Sequence, residues 1–136
     1  MVDLPNTQTQ GQVPISQGDG TNRASWGTLS QSLRVQVQNA PGATPAIDSD
    51  NWDIVQLTGL STGITSLTTN LTGTFTTEQK LIIEFLDDGT AQSIAWGASF
   101  ESTTVILPLT TVISTWLRVG LFYNLANGVW DCVAVA

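Results

Sequence analysis

The sequence predicts an all-β fold, an antiparallel sandwich or barrel behind an extended N-terminal arm. Short apolar runs recur along residues 52–136, separated by turn-forming residues every 8 to 12 positions, the spacing of a sandwich or barrel. Two of the turns, Asp88-Gly89 and Asn127-Gly128, stand between apolar runs and read as hairpins, because a tight hairpin turn needs positive φ at its central residues. The third observation is a change of composition near residue 47. Residues 1–46 balance Arg23 and Arg34 against Asp3 and Asp19, and they hold four of the five prolines (Pro5, Pro14, Pro41, Pro45). The whole formal charge of −7 therefore belongs to residues 47–136, which set nine acids against Lys80 and Arg118. An extended arm over 1–46 and a β-domain over 47–136 follow from this division.

Within the arm, Gln17-Gly-Asp-Gly-Thr-Asn22 is a turn cluster. It has no strand before it and no Gly-Lys-Ser after it, so it does not read as a phosphate loop. Residues 32–38 alternate strictly, which sets Leu33, Val35 and Val37 on one face of a half-buried strand. Residues 53–58 form the next strand, and residues 80–86 a buried one that turns at Asp87-Asp88-Gly89-Thr90 and returns through 91–96. Strands at 102–107 and 111–114 flank Pro108, and the final hairpin pairs 116–123 with 129–135.

The stretch from 57 to 71 is ambiguous. Leu57, Leu60, Ile64, Leu67 and Leu71 are spaced 3, 4, 3, 4, the seam of a coiled coil. The Thr, Ser and Gly between them are poor helix formers, and the seam is too short to hold a helix together. A Thr-rich strand or extended segment fits better, and in either form the stripe can pack against copies of itself. These five residues are expected at a subunit interface. So are Trp26 and Trp52, which flank the arm and its junction, where little core exists to absorb them.

Composition otherwise works by exclusion. There is no histidine, and the four Lys+Arg against eleven Asp+Glu argue against a surface that neutralises nucleic-acid phosphates. No apolar stretch approaches a membrane span, and the first residues lack a signal-peptide pattern. Cys132, the only cysteine, lies in an apolar run and reads as a buried structural thiol. Asp48-Ser-Asp50-Asn-Trp-Asp53 has the look of a calcium loop but lacks the glycine at position six and the closing glutamate, so it reads as an element start with solvated acids. Asp87 and Asp88 belong to a turn, and Glu84 should face solvent or a subunit seam. No carboxylate pair has a spacing that predicts a glycosidase cleft, and no serine has a base beside it. No catalytic residue, metal site or cofactor is expected. A recognition module for carbohydrate is the second class to test, and it requires an exposed aromatic ring beside Asn, Gln or Asp groups.

Residues 64–136 resemble a β-rich module at the ends of bacteriophage virion proteins, among them head fibres, capsid decoration proteins and tail fibres. The resemblance rests on Ile64-Thr-Ser-Leu-Thr-Thr-Asn-Leu-Thr-Gly73, Gln79-Lys-Leu-Ile-Ile-Glu-Phe85, Asp88-Gly-Thr-Ala-Gln-Ser-Ile-Ala-Trp-Gly-Ala-Ser-Phe100, and Tyr123-Asn with Trp130-Asp-Cys-Val-Ala-Val135. Gly11-Gln-Val-Pro-Ile-Ser-Gln-Gly-Asp-Gly20 and Ser25-Trp-Gly27 look like the short repeats that precede such modules. The resemblance implies a homotrimeric structural protein of the virion, a sandwich or jelly-roll head with no enzymatic residues. The length leaves no room for a shaft, which favours a capsid decoration or head-fibre protein over a tail fibre. The arm would then anchor to the major capsid protein or another virion protein, and the acidic domain would face outward toward host-surface glycans.

Overall fold

In the computed structural model the described residues are 15–16, 24–25 and 32–136, and none of them is helical. Strands β1 (Ile15–Ser16) and β2 (Ala24–Ser25) pair antiparallel within a first unit, Met1–Ser32. The second unit, Leu33–Ala136, holds β3 (Val35–Asn39), β4 (Ile47–Asp48), β5 (Ile54–Leu60), β6 (Leu71–Thr72), β7 (Lys80–Asp87), β8 (Phe100–Glu101), β9 (Leu117–Asn124) and β10 (Val129–Val135). The boundary falls at 32/33, not at the composition change near 47, because β3 is hydrogen-bonded into the main sheet.

That sheet has six strands in the order β3-β5-β7-β9-β10-β8 and is mixed, not purely antiparallel. β3, β5 and β7 run parallel to one another, β10 runs parallel to β8, and the β7-β9-β10 portion is antiparallel. Parallel neighbours need a crossover, usually a helix. Here extended chain serves instead: residues 40–53 and 61–79 leave the sheet and return, and on the way β4 and β6 pair with each other in parallel. Successive passes stack in register. Val35, Ile54 and Ile82 form one ladder, Ile47 and Leu71 a second, and Ile64 and Ile94 a third.

The inner face of the sheet, with Val55, Leu57, Leu81, Ile83, Phe85, Val119, Leu121 and Trp130, packs with Ile47, Ile64, Leu67, Ile94, Trp96 and Leu107 into one hydrophobic core. The 57–71 stripe is therefore extended chain. Leu57 lies in the middle of β5 and Leu60 ends it, Ile64 and Leu67 lie in the crossover, and Leu71 starts β6.

Two expectations about local structure do not hold. The chain turns at Asp88-Gly89 but does not come back beside β7, whose two edges are already occupied by β5 and β9. Residues 91–96 cross to the opposite layer, where Ile94 bridges Ile64. Nor are 102–107 and 111–114 strands. They form a loop fixed by Trp96 Nε1–H, which donates to the Pro108 carbonyl at 2.7 Å, and by bridges at Ser93–Thr110 and Val112–Thr115. The final hairpin forms as expected. Asn124 Oδ1 accepts from the N–H groups of Ala126 and Asn127, and Gly128 supplies the one positive φ (72°) the four-residue loop needs.

The alternation in β3 is real, but its sense is inverted. Gln36 and Gln38 lie on the core side, where Gln38 Nε2 donates to the Ala46 carbonyl at 2.6 Å. Leu33, Val35 and Val37 are 64%, 43% and 61% exposed. Strict alternation fixes two faces but does not say which of them meets the core.

Candidate functional site

Because side chains alternate along strands, the outer face of the six-stranded sheet is assembled from a separate set of residues. Across one row it carries Val35, Ile54, Ile82, Gly120 and Ala134, and across the next Val37, Gln56, Glu84 and Arg118. Glu84 lies on this face yet is buried. Arg118 Nε donates to its Oε1 at 2.9 Å and Gln56 Nε2 to its Oε2 at 2.6 Å, so its charge is met within the chain. Within the second unit no element covers this face.

Toward the β9–β10 turn the same face opens into a cleft of about 600 Å³, bounded by Thr77, Glu78, Phe122, Asn124, Leu125, Asp131 and Val133 among others. Phe122 stands in its floor, 40% exposed, with Lys80 Nζ 5.5 Å from the ring centroid. Asp131, its register partner on β10, accepts from Thr103 Oγ1 at 3.0 Å and from Asn124 Nδ2 at 3.0 Å. Glu78, at the mouth, has a left-handed φ of 61° and is tied down by its N–H, which donates to the Tyr123 carbonyl at 3.0 Å. Non-glycine residues in that region persist only where their surroundings over-determine them, and they concentrate at ligand clamps. None of the cleft residues was expected at a site from the sequence, although Asn124, Asp131 and Val133 stand in runs that carry the resemblance. The signal was present in β9: Leu117, Val119, Leu121 and Tyr123 take the core, which leaves Phe122 on the side of Arg118 and Asn124.

The residues expected at an interface are not brought together on the surface. Leu57, Leu60, Ile64 and Leu67 are fully buried inside one chain, and Leu71 and Trp52 are half-buried against the same core. A side chain with no accessible surface in the single chain has none left to bury against a copy, so the stripe holds the subunit itself together. Trp26 lies outside the described residues.

The acids of 48–53 are each met by a donor. Asp48 accepts from the Asp50 N–H and the Asn51 side chain, and Asp50 accepts the Thr74 N–H on both oxygens. Asp53 takes a two-pronged ion pair from Arg34 at 2.9 and 3.1 Å. The Arg34 side chain, then its backbone N–H, hold the Asp53 carboxyl below the usual carboxylate range. Among the described residues no group of three or more His, Cys, Asp or Glu could hold a metal ion. Asp87 proves to be more than a turn residue. It accepts from Thr111 Oγ1 at 2.6 Å, from the Ser114 N–H at 2.8 Å and from the Gly89 N–H at 3.0 Å, fastening the 110–115 loop to the end of β7. The Thr111 bond leads in pulling its carboxyl below the ordinary range. Cys132 is buried, and burial pushes its thiol up.

The second unit thus has an exposed apolar strand at one edge of its sheet and, toward the other edge of the same face, a mixed aromatic–acidic cleft. No family model matches the chain, and no curated protein or solved structure shows significant similarity to it.

Proposed function

We propose that this chain is a structural subunit of a bacteriophage particle, a trimeric capsid decoration or head-fibre protein whose β-domain associates with copies of itself. The observation that carries the reading is the inverted strand β3, which turns glutamines toward the core and Leu33, Val35 and Val37 toward solvent. A lone domain gains nothing from that arrangement. Burying the exposed parts of these three side chains is worth roughly 1 kcal/mol each, and β3 is an edge strand, which isolated proteins generally blunt with charge. Ile54 and Ile82 extend the apolar row inward across the sheet. An interface centred on β3 replaces the leucine stripe as the subunit contact.

In this reading the segment ahead of β3, residues 1–32, anchors to the major capsid protein or another virion protein, and the domain, which carries three cations against nine acids, faces solvent. The sandwich or jelly-roll description of the domain belongs to the same proposal. A carbohydrate-recognising tail-fibre tip is the alternative placement, and the cleft at Phe122 is the feature that favours it.

The test is sedimentation of the full chain together with the double variant Val35→Asp/Val37→Asp. Both sites are exposed, so the variant keeps its β signature in circular dichroism. The expected result is a trimer for the parent and a monomer for the variant. A parent that is monomeric at about 50 µM, well above the dissociation constant of a stable interface, refutes self-association. Particle attachment is tested separately, by adding the full chain and a 33–136 fragment to phage particles stripped of the protein. Equal binding by the two removes the anchor from residues 1–32.

A further inference from the structure

We infer that the outward row of β3 on one copy docks against the 105–115 loop of the next copy. The inference rests on the three-fold assembly proposed above and names the surface that meets β3 in it.

Three copies around one axis cannot share a self-complementary contact. Their interface is heterologous, so a patch on each copy meets a different patch on its neighbour. The second unit must therefore carry a partner surface for Leu33, Val35 and Val37. Its other exposed large apolar residues fall into two groups. One lies at the β9–β10 end, with Phe122, Leu125, Val133 and Val135. The other sits on a single loop, where Ile106, Leu109, Val112 and Ile113 are 79%, 70%, 52% and 58% exposed.

Charge separates the two groups. The β9–β10 end shares its cleft with Glu78 and Asp131. β3 has nothing to offer those carboxylates, because residues 35–39 are uncharged and Arg34 is already paired with Asp53. Covering an acid with a neutral strand costs its hydration without a new partner. Residues 102–117, by contrast, hold no ionisable side chain. The loop and β3 can leave water together without stranding a charge.

The areas agree with this pairing. At roughly 180 Å² for a fully exposed aliphatic residue, the β3 row offers about 300 Å² and the four loop residues about 450 Å². A stable interface buries about 1,200–2,000 Å² in all, of which about 700–1,300 Å² is apolar. Neither patch supplies that alone, and the two together reach its lower end.

The loop is also built to stay outward. Asp87 accepts from Thr111 and Ser114, Trp96 donates to the Pro108 carbonyl, and the Leu107 N–H donates to Ser102 Oγ at 2.9 Å. A loop fixed in this way loses little freedom on docking. Its Ser93–Thr110 bridge ties it to the layer opposite the sheet, whereas the β3 row lies on the sheet's outer face. One copy therefore presents both patches at once, as a ring of three requires.

The experiment is sedimentation of the full chain, of Val35→Asp/Val37→Asp, of Ile106→Asp/Leu109→Asp, and of an equimolar mixture of the two variants at about 200 µM. All four substituted residues are exposed, so each variant should keep the parent's circular dichroism. The parent should be a trimer and each variant a monomer. The mixture should form a one-to-one dimer, because the intact β3 of the loop variant fits the intact loop of the strand variant and no further contact can form. A trimeric parent with an Ile106→Asp/Leu109→Asp protein that also stays trimeric overturns this inference and leaves the assembly standing. A mixture that remains monomeric overturns the pairing of these two patches. A monomeric parent overturns the assembly and this inference with it.

Discussion

Asp87 offers the sharpest single perturbation, because one carboxylate holds a whole loop. In the Asp87→Ala protein the Thr111 hydroxyl and the Ser114 N–H lose their acceptor, as does the Gly89 N–H, which can turn to water. Asp87 is only 6% exposed and Thr111 only 4%, so water does not readily replace the bond between them. A hydrogen bond to a charged group contributes about 1.5–3 kcal/mol and a stranded buried donor costs about 1–3 kcal/mol, which places the loss near 3–4 kcal/mol. Asp87→Asn keeps one acceptor oxygen, and its amide can donate to Thr111 Oγ1, which already accepts from the Gln92 N–H at 2.9 Å. Its cost should be about 1–2 kcal/mol.

Urea unfolding followed by tryptophan fluorescence measures both. With an m-value near 1.5 kcal/mol/M, the alanine variant should lose about 2 M in its midpoint and the asparagine variant about 1 M. The pH dependence gives a second reading. A carboxyl held below its unfolded-state value contributes stability above an unfolded pKa of about 3.9 and loses it as pH falls through the folded value. The gap between the parent and Asp87→Asn should therefore be constant near neutrality and narrow below about pH 4. A midpoint unchanged in Asp87→Ala, or a gap that widens in acid, would refute the reasoning.

Other expectations rest on separate parts of the molecule. Leu57→Ala should cost about 2–5 kcal/mol, as a large-to-small change at a fully buried site; if Leu57 instead served an exposed seam, thermal unfolding would register under about 1 kcal/mol. Gly97→Ala should cost at least about 1 kcal/mol, since the position has a φ of 84° and an added Cβ would come 2.8 Å from Thr68 Cβ; unchanged stability by calorimetry would contradict this. Cys132 should resist a disulfide-exchange reagent in the native protein and react stoichiometrically in denaturant, because burial both shields the thiol and disfavours the thiolate; rapid native labelling would count against a buried thiol. The parent as a whole should lose stability below about pH 4, since Asp53 and Asp87 are both held below the ordinary carboxylate range; acid titration monitored by circular dichroism reads this directly.

How much was legible beforehand differs element by element. The β character, the residues of β5, β7, β9 and β10, the last hairpin and the burial of Cys132 follow from local pattern: alternation, β-branched and aromatic runs, and Asn-Gly turn chemistry act over a few residues and are written in them. Pairing is not local. Asp88-Gly89 carries a strong hairpin signal, but β7 gains more from β5 and β9 than from the segment that follows it, so residues 91–96 go to the other layer. The parallel ladders of Val35, Ile54 and Ile82 join residues from three separate passes of the chain, which no short-range signal encodes.

The same distinction governs the site. From the sequence alone come two opposed faces in β3 and a leucine stripe in need of burial. Only the tertiary structure decides which face meets the core, because that depends on what the remaining chain lays over it. It puts the stripe inside the subunit, leaves Val35 and Val37 in water, and gathers Glu78, Phe122, Asn124 and Asp131 from three parts of the chain around one cleft.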